Sequence, residues 1–285
     1  MRVSKSNCRT NSATQTQAVR HNGQGSLRSA GLRCYAGFVR TQHCACFTSN
    51  CKRNETYYDT TWPGAGTLCK MNIRTYKPRR WRVTRGQAAA LAADDALLLR
   101  MPGPMLDLKE LFDNSPVVME IGFGGGAATV QMADANPAIG ILAVDVHTAG
   151  IGDLLARIRS RQLTNVRVVK GDALLLAHTM LAAGALAGIR LYFPDPWPKT
   201  RHHKRRLVTA ANSALLAAHT HPNGFWHIAT DWAPYTAQIL NVLSASPQWA
   251  GGVIARPEDR PFTRFENNAL RAGRAITDLY YIRTG

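Results

Sequence analysis

Val117-Val-Met-Glu-Ile-Gly-Phe-Gly-Gly-Gly126 reads as a buried parallel strand running into a glycine loop. Five mainly apolar residues suit a strand covered on both faces. Glycines after it let the backbone turn tightly and approach a ligand closely. Ala127 to Ala135 then has helix composition. The unit recurs along the chain. Ile139-Gly-Ile-Leu-Ala-Val-Asp145 is a second strand, with a helix ending near Arg161. Val166-Arg-Val-Val-Lys170 is the third, followed by helical sequence from Ala173 to Ala183. Ile189-Arg-Leu-Tyr-Phe193 is the fourth, with a helix expected from about Arg205 to His219. Gly224 to Thr230 is the fifth, and Pro234 opens the next helix at a favoured early position. Two more strands, at Gly252-Val-Ile-Ala255 and Ile276 to Ile282, flank a proline-rich loop and a short helix. Strands alternating with helices predict an α/β fold: a doubly wound, mostly parallel seven-stranded sheet with helices on both faces.

Charge and cysteine divide the chain at its other end. The 285 residues carry a formal net charge of +17. Residues 1–72 hold ten Lys/Arg and two acids, and residues 73–285 hold 25 and 16, so both parts are basic. That favours a polyanionic partner, nucleic acid before an anionic membrane surface. No run of eighteen apolar residues predicts a membrane span. All six cysteines lie between Cys8 and Cys69. Cys46 and Cys51 have no matching second pair, and no apolar signal-peptide core precedes them, so neither a metal site nor a disulfide framework is expected. Residues 1–72 show no sustained apolar period and are expected to be a disordered basic extension ahead of a domain at 73–285. Two origins fit, a targeting peptide or a stretch upstream of a functional start at Met71. The scattered cysteines favour the second, and a cytoplasmic location is expected. The arm Arg74-Thr-Tyr-Lys-Pro-Arg-Arg-Trp-Arg-Val-Thr-Arg85 interleaves cations with rings, which suits RNA or a plain basic linker.

Candidate chemistry gathers at the strand ends. Glu120 precedes Gly122, Gly124, Gly125 and Gly126; Asp145 closes the second strand; Asp172 follows the third. Each acid could be a helix cap, but three in succession favour one nucleoside cofactor across the sheet edge. A pyrophosphate wants a helix N-terminus free of negative charge, and Glu120 opposes that. The acid instead suits the cationic S-adenosylmethionine. The fourth strand runs into Leu191-Tyr-Phe-Pro-Asp-Pro-Trp-Pro-Lys-Thr-Arg-His-His-Lys-Arg-Arg206. Three prolines stiffen this loop around Asp195, because each fixes φ and removes an N–H. Trp197 and a crowd of cations follow. A rigid carboxylate there suggests chemistry on a base within a polyanion.

Glu120-Ile-Gly-Phe-Gly-Gly-Gly126, Asp145-Val-His147, Gly171-Asp-Ala173, Phe193-Pro-Asp-Pro-Trp-Pro-Lys199, Arg201-His-His-Lys-Arg-Arg206, Thr230-Asp-Trp232 and Arg260-Pro-Phe-Thr-Arg-Phe-Glu266 occur in this order. The set resembles the bacterial-type tRNA (guanine-N7-)-methyltransferase family from about Ile73 to Arg283. The proline-rich run and the basic cluster after it are its specific part; the glycine motif is shared by many methyltransferases. The resemblance implies a Rossmann-like class I methyltransferase fold and N7 methylation of a guanosine in the tRNA variable loop. It implies that Glu120, Gly122, Gly124, Asp145, Asp172 and Asp195 contact S-adenosylmethionine, with Asp195 also catalytic. Lys199, Asp231, Thr263, Arg264, Phe265 and Glu266 would hold the guanosine. Arg201, His202, His203, Lys204, Arg205 and Arg206 would lie along the RNA. The family often has Glu where this chain has Asp145. No metal, no membrane and no obligatory protein partner are expected, and a monomer or homodimer would serve.

Other readings remain open. A non-catalytic RNA-binding protein on the same fold would keep the cations and lose the acids, all of which are present. A methyltransferase acting on another RNA, on DNA or on a small molecule fits the glycine motif alone. An NAD-dependent oxidoreductase conflicts with Glu120.

Overall fold

In the computed structural model the described residues are 73–77, 82–93 and 96–285. The expectation of a disordered extension over 1–72, with every cysteine in it, lies outside them. The first described element is helix α1, Arg85–Ala92, capped by the Thr84 side chain, which accepts from the Gln87 amide, while the Gln87 side chain accepts from the Thr84 amide. Strand β1, Leu98–Leu99, and the one-turn helix α2, Leu108–Leu111, lead to β2, Val117–Ile121. Then α3 (Ala127–Ala135), β3 (Gly140–Asp145), α4 (Thr148–Ser160), β4 (Val166–Lys170), α5 (Ala173–Met180) and β5 (Leu186–Tyr192) alternate. A 3₁₀ turn, Thr200–Arg205, precedes α6, Ala210–His219. The chain ends with β6 (Thr220–Thr230), α7 (Ala233–Ser244), β7 (Trp249–Ile254), α8 (Arg264–Arg271) and β8 (Thr277–Arg283).

The sheet has eight strands in the order β1-β4-β3-β2-β5-β6-β8-β7. The five pairings from β1 to β6 are parallel, and β8 pairs antiparallel with β6 and β7. The eighth strand is the two-residue β1, which has too few residues to carry a period. A second difference lies before α6. The helix expected from about Arg205 starts at Ala210, where the Thr209 side chain accepts from the Asn212 amide, and the basic residues form the tighter 3₁₀ turn.

Strand β3 shows why the sheet is buried on both sides. Leu142 and Val144 join a core with α5, α6 and α7; Ile141 and Ala143 join another with α1, α3 and α4. A period of two places successive side chains on opposite faces, so a strand covered twice must be apolar at every position. Strand order reverses between β2 and β5, with β3 on one side and β6 on the other, and the carboxyl ends of these strands open one crevice. Among the described residues no helix is long and apolar enough to cross a membrane.

Candidate active site

That crevice is a cleft of about 870 Å³, counting its open mouth. Its floor is the glycine loop. Gly122 and Gly124 have φ of 78° and 63°, the left-handed region where a Cβ is costly. Helix α4 packs hard behind them: a Cβ on Gly150 would stand 2.0 Å from the Gly124 carbonyl oxygen. Asp145, at the end of β3, accepts from the Gly124 and His147 amides, both at 2.9 Å. Asp172 lines the same cleft while its carboxylate caps α5 through the Leu174 and Leu175 amides at 2.9 and 3.4 Å. Cofactor contact and helix cap are therefore compatible roles for that residue. Burial pushes both carboxyls up, and these amides oppose it.

Glu120 is placed differently from its neighbours. It is buried on β2 and does not line the cleft, whereas Ile121 and Gly122 do. Its Oε2 has no hydrogen-bond partner among the described residues. Burial pushes its carboxyl up to about 7, from 4.5. Such a group takes up a proton on folding. The ligand-free chain therefore loses stability as pH rises from about 4.5 to about 7, by roughly 3 kcal/mol in all. Glu120→Gln should remove that slope. Thermal unfolding should find the variant more stable than the parent at pH 8 and matched to it near pH 4.5. Parallel pH profiles would rule the buried ionisation out.

Asp195 lies beyond β5, in the loop that the three prolines stiffen. Phe193 and Trp197 flank it at φ of 52° and 44°, a region that costs a non-glycine residue about 1 kcal/mol or more. Bonds at both ends hold the loop: the Phe193 amide donates to the Ala229 carbonyl at 2.7 Å, and Arg206 Nε to the Pro196 carbonyl at 2.9 Å. Asp195 Oδ2 accepts from the Lys77 amide at 2.9 Å. Trp197 is buried, with Nε1 donating to the Thr75 carbonyl at 2.9 Å, so its ring is no open platform for a base. The Lys77 ammonium and the Arg205 guanidinium lie 5.4 and 5.1 Å from its centroid. Thr75 and Tyr76 line the cleft. The arm, open from its sequence to RNA contact or a linker role, turns inward here, and Trp81 lies outside the described residues.

The basic cluster divides. Lys199, Arg201 and Lys204 are exposed; His202, His203 and Arg205 are half-buried. Slight desolvation and the surrounding cations hold the His202 imidazole below its usual value. Arg206 does not lie along the surface. Its guanidinium is buried over the Tyr235 ring and donates to Gln238 Oε1 at 2.7 Å and the Pro234 carbonyl at 3.3 Å. It ties the proline loop to α7 and, buried there, does not lie along the surface with the other cations of the cluster.

The segment before α8 divides in the same way. Phe265 is exposed and lines the cleft, its ring 3.7 Å from where a Cβ on Gly124 would stand. Arg264 is exposed, and the Thr263 side chain caps α8 by accepting from the Glu266 amide. Glu266 points inward. Arg260 Nη1 and Nη2 donate to its two oxygens at 2.7 and 2.8 Å, and Arg256 Nε donates at 2.9 Å. That carboxylate is occupied by the two arginines in this state. Asp231 pairs with the partly exposed Arg274 at 2.8 Å and does not line the cleft. Arg260 also reaches Asp278, with Nε 2.8 Å from Oδ1 and Nη2 donating to Oδ2 at 3.1 Å. Asp278 Oδ1 lies 2.8 Å from His227 Nε2, and His227 Nδ1 lies 3.0 Å from the hydroxyl of the cleft-lining Tyr192. This buried chain was missed from sequence. Its only sign is a His and an Asp within apolar strands, where a polar group needs a partner.

A family model described as a putative methyltransferase matches residues 114–279. The tRNA (guanine-N(7)-)-methyltransferase of Streptomyces coelicolor is 49% identical over 227 residues, covering 77% of this chain and 84% of the relative. The enzyme of the same name from Paracidovorax citrulli is 43% identical over 227 residues, covering 78% and 91%. The chain belongs to the tRNA (guanine-N(7)-)-methyltransferase family. Among solved structures, the 16S rRNA methyltransferase KamB superposes with a TM-score of 0.47 at 14% identity, over 64% of this chain and 96% of that one. For this family the cleft residues fit S-adenosylmethionine. A glycine cradle with open space at Gly122 and acids at two strand ends, with the unpartnered Oε2 of Glu120 buried behind the cleft, suit a cationic nucleoside.

Proposed function

We propose that this chain methylates N7 of a guanosine in the variable loop of tRNA, using S-adenosylmethionine and giving 7-methylguanosine. One observation carries the reading. Asp195 shares a cleft with the glycine cradle, Asp145 and Asp172, and the exposed Lys199 and Arg201 follow it in the chain. Membership of the family and the names of the relatives support the substrate.

When bound, S-adenosylmethionine supplies an electrophilic methyl on a cationic sulfonium. Asp145 and Asp172, with Gly122 and Gly124, would hold the nucleoside and fix its direction. Glu120 supplies negative charge from behind the cleft, and a cation nearby favours its ionised form. Guanine N7 carries an in-plane lone pair and no proton at neutral pH, so no side chain has to act as a base. Positive charge moves onto the purine as N7 acquires the methyl. The fixed carboxylate of Asp195 stabilises that charge, and positioning supplies much of the remainder. Phe265 offers a flat apolar face at the mouth for the incoming base. Lys199, Arg201 and Lys204 meet phosphates, which orient the RNA without reading its sequence.

The test is transfer of labelled methyl from S-adenosylmethionine to bulk tRNA by the full chain, with the product nucleoside identified by mass. 7-Methylguanosine is expected. A different methylated nucleoside, or unlabelled tRNA with the cofactor bound, would contradict the reading.

A further inference from the structure

The cleft has a wall that no strand or helix supplies. Thr75 and Tyr76 line it, although they lie ahead of helix α1 and more than a hundred residues from the proline loop. Two bonds hold this arm in place. Trp197 Nε1 donates to the Thr75 carbonyl at 2.9 Å, and the Lys77 amide donates to Asp195 Oδ2 at 2.9 Å. Rings and cations reinforce them. The Arg74 guanidinium lies 5.5 Å from the Tyr76 centroid, and the Lys77 ammonium lies 5.4 Å from that of Trp197. Arg74 also acts electrostatically on Asp172, another residue lining the cleft.

We propose that residues 73–77 are a strap that closes the cofactor cleft, with Tyr76 as a cofactor-retaining wall and Trp197 as the positioning residue that anchors it. The inference rests on the proposed cofactor. It gives a role to an aromatic-basic stretch that composition alone leaves between RNA contact and a plain linker. Both anchors use backbone groups of the arm, so its path follows the proline loop. The Lys77 amide also orients the Asp195 carboxylate from outside the loop. The wall that retains the cofactor therefore helps to position the group placed for catalysis. Removing the wall opens a route for the ligand to leave, and removing the indole N–H frees one anchor while keeping an aromatic ring in the packed position.

Calorimetric binding of S-adenosylhomocysteine to the full chain tests this. Tyr76→Ala and Trp197→Phe should each weaken it on the order of fivefold or more, the scale of one lost hydrogen bond or packed contact. Tyr76→Phe, which keeps the ring, should retain more of the affinity than Tyr76→Ala. Binding of tRNA without cofactor should change less than about twofold in Tyr76→Ala. Because Tyr76 is only half-buried, that variant keeps the test valid if Trp197→Phe fails to fold. Unchanged S-adenosylhomocysteine affinity in Tyr76→Ala, or a loss of tRNA affinity alone, would overturn the strap and return the arm to RNA. The parent's own binding separates the two claims: a parent that does not take up S-adenosylhomocysteine contradicts the proposed cofactor, whereas the ratio of variant to parent reports the strap.

Discussion

Asp195→Asn lowers turnover by about 10²- to 10³-fold while S-adenosylhomocysteine binding stays within about threefold of the parent. The size is that of removing one preorganised electrostatic contact from a transition state. Asparagine keeps the volume and an acceptor for the Lys77 amide, so the loop and the arm stay in place. What disappears is the full negative charge, in a loop that three prolines and two left-handed residues hold fixed. The charge is useful only if it is already oriented when the purine becomes cationic, and the backbone expense around Asp195 fits that need. Single-turnover rates with cofactor and tRNA both saturating isolate the step. A rate within a factor of a few of the parent would remove Asp195 from the chemistry.

Arg260→Met costs the fold about 3–5 kcal/mol, seen as a lower denaturant midpoint, and lowers the melting temperature by about 10 °C. Arg260 lies between the buried carboxylates of Glu266 and Asp278, and all three side chains are 1% exposed. Methionine fills the space and leaves Asp278 facing only His227, with Glu266 facing only Arg256. Uncompensated buried charge is expensive, far more than a lost surface pair. The contrast is internal to the molecule. Arg274→Ala, which breaks a partly exposed pair with Asp231, should cost less than about 1 kcal/mol. The Arg260 site also fixes the start of α8, where Thr263 and Phe265 stand, so what remains folded should show a raised KM for tRNA. Equal losses for the two arginines would mean that the buried chain carries no special weight.

Much of this architecture is legible in the sequence because the parallel strands are buried on both faces. Val117–Ile121 and Val166–Lys170 form strands with the bounds read from their runs of apolar and β-branched residues. Strand β5 starts at Leu186, earlier than Ile189, because Ala187 and Gly188 carry little strand signal of their own. The two leucines of β1 have no period at all. Acids at strand ends are equally legible, and Asp145, Asp172 and Asp195 all line one cleft. What could not be read is the choice of partners across long separations. Nothing near Arg206 announces that it would turn under the proline loop while Arg205 stays nearer the surface. Glu266 looks like a free acid until Arg256 and Arg260 fold back on it. The arm could serve RNA or be a plain linker until its backbone meets Asp195 and Trp197.

Methylation at N7 changes one atom of one nucleotide, so the decisive measurement is where it makes a tRNA labile. N7 methylation leaves a cationic purine that borohydride reduces, the weakened base is lost, and aniline then cuts the chain at that nucleotide by β-elimination. A tRNA transcript treated with the full chain and S-adenosylmethionine should break at a single guanosine in the variable loop, and should stay whole after treatment with Asp195→Asn for the same time. Methyl incorporation without a break, or a break at guanosines elsewhere, would contradict the account.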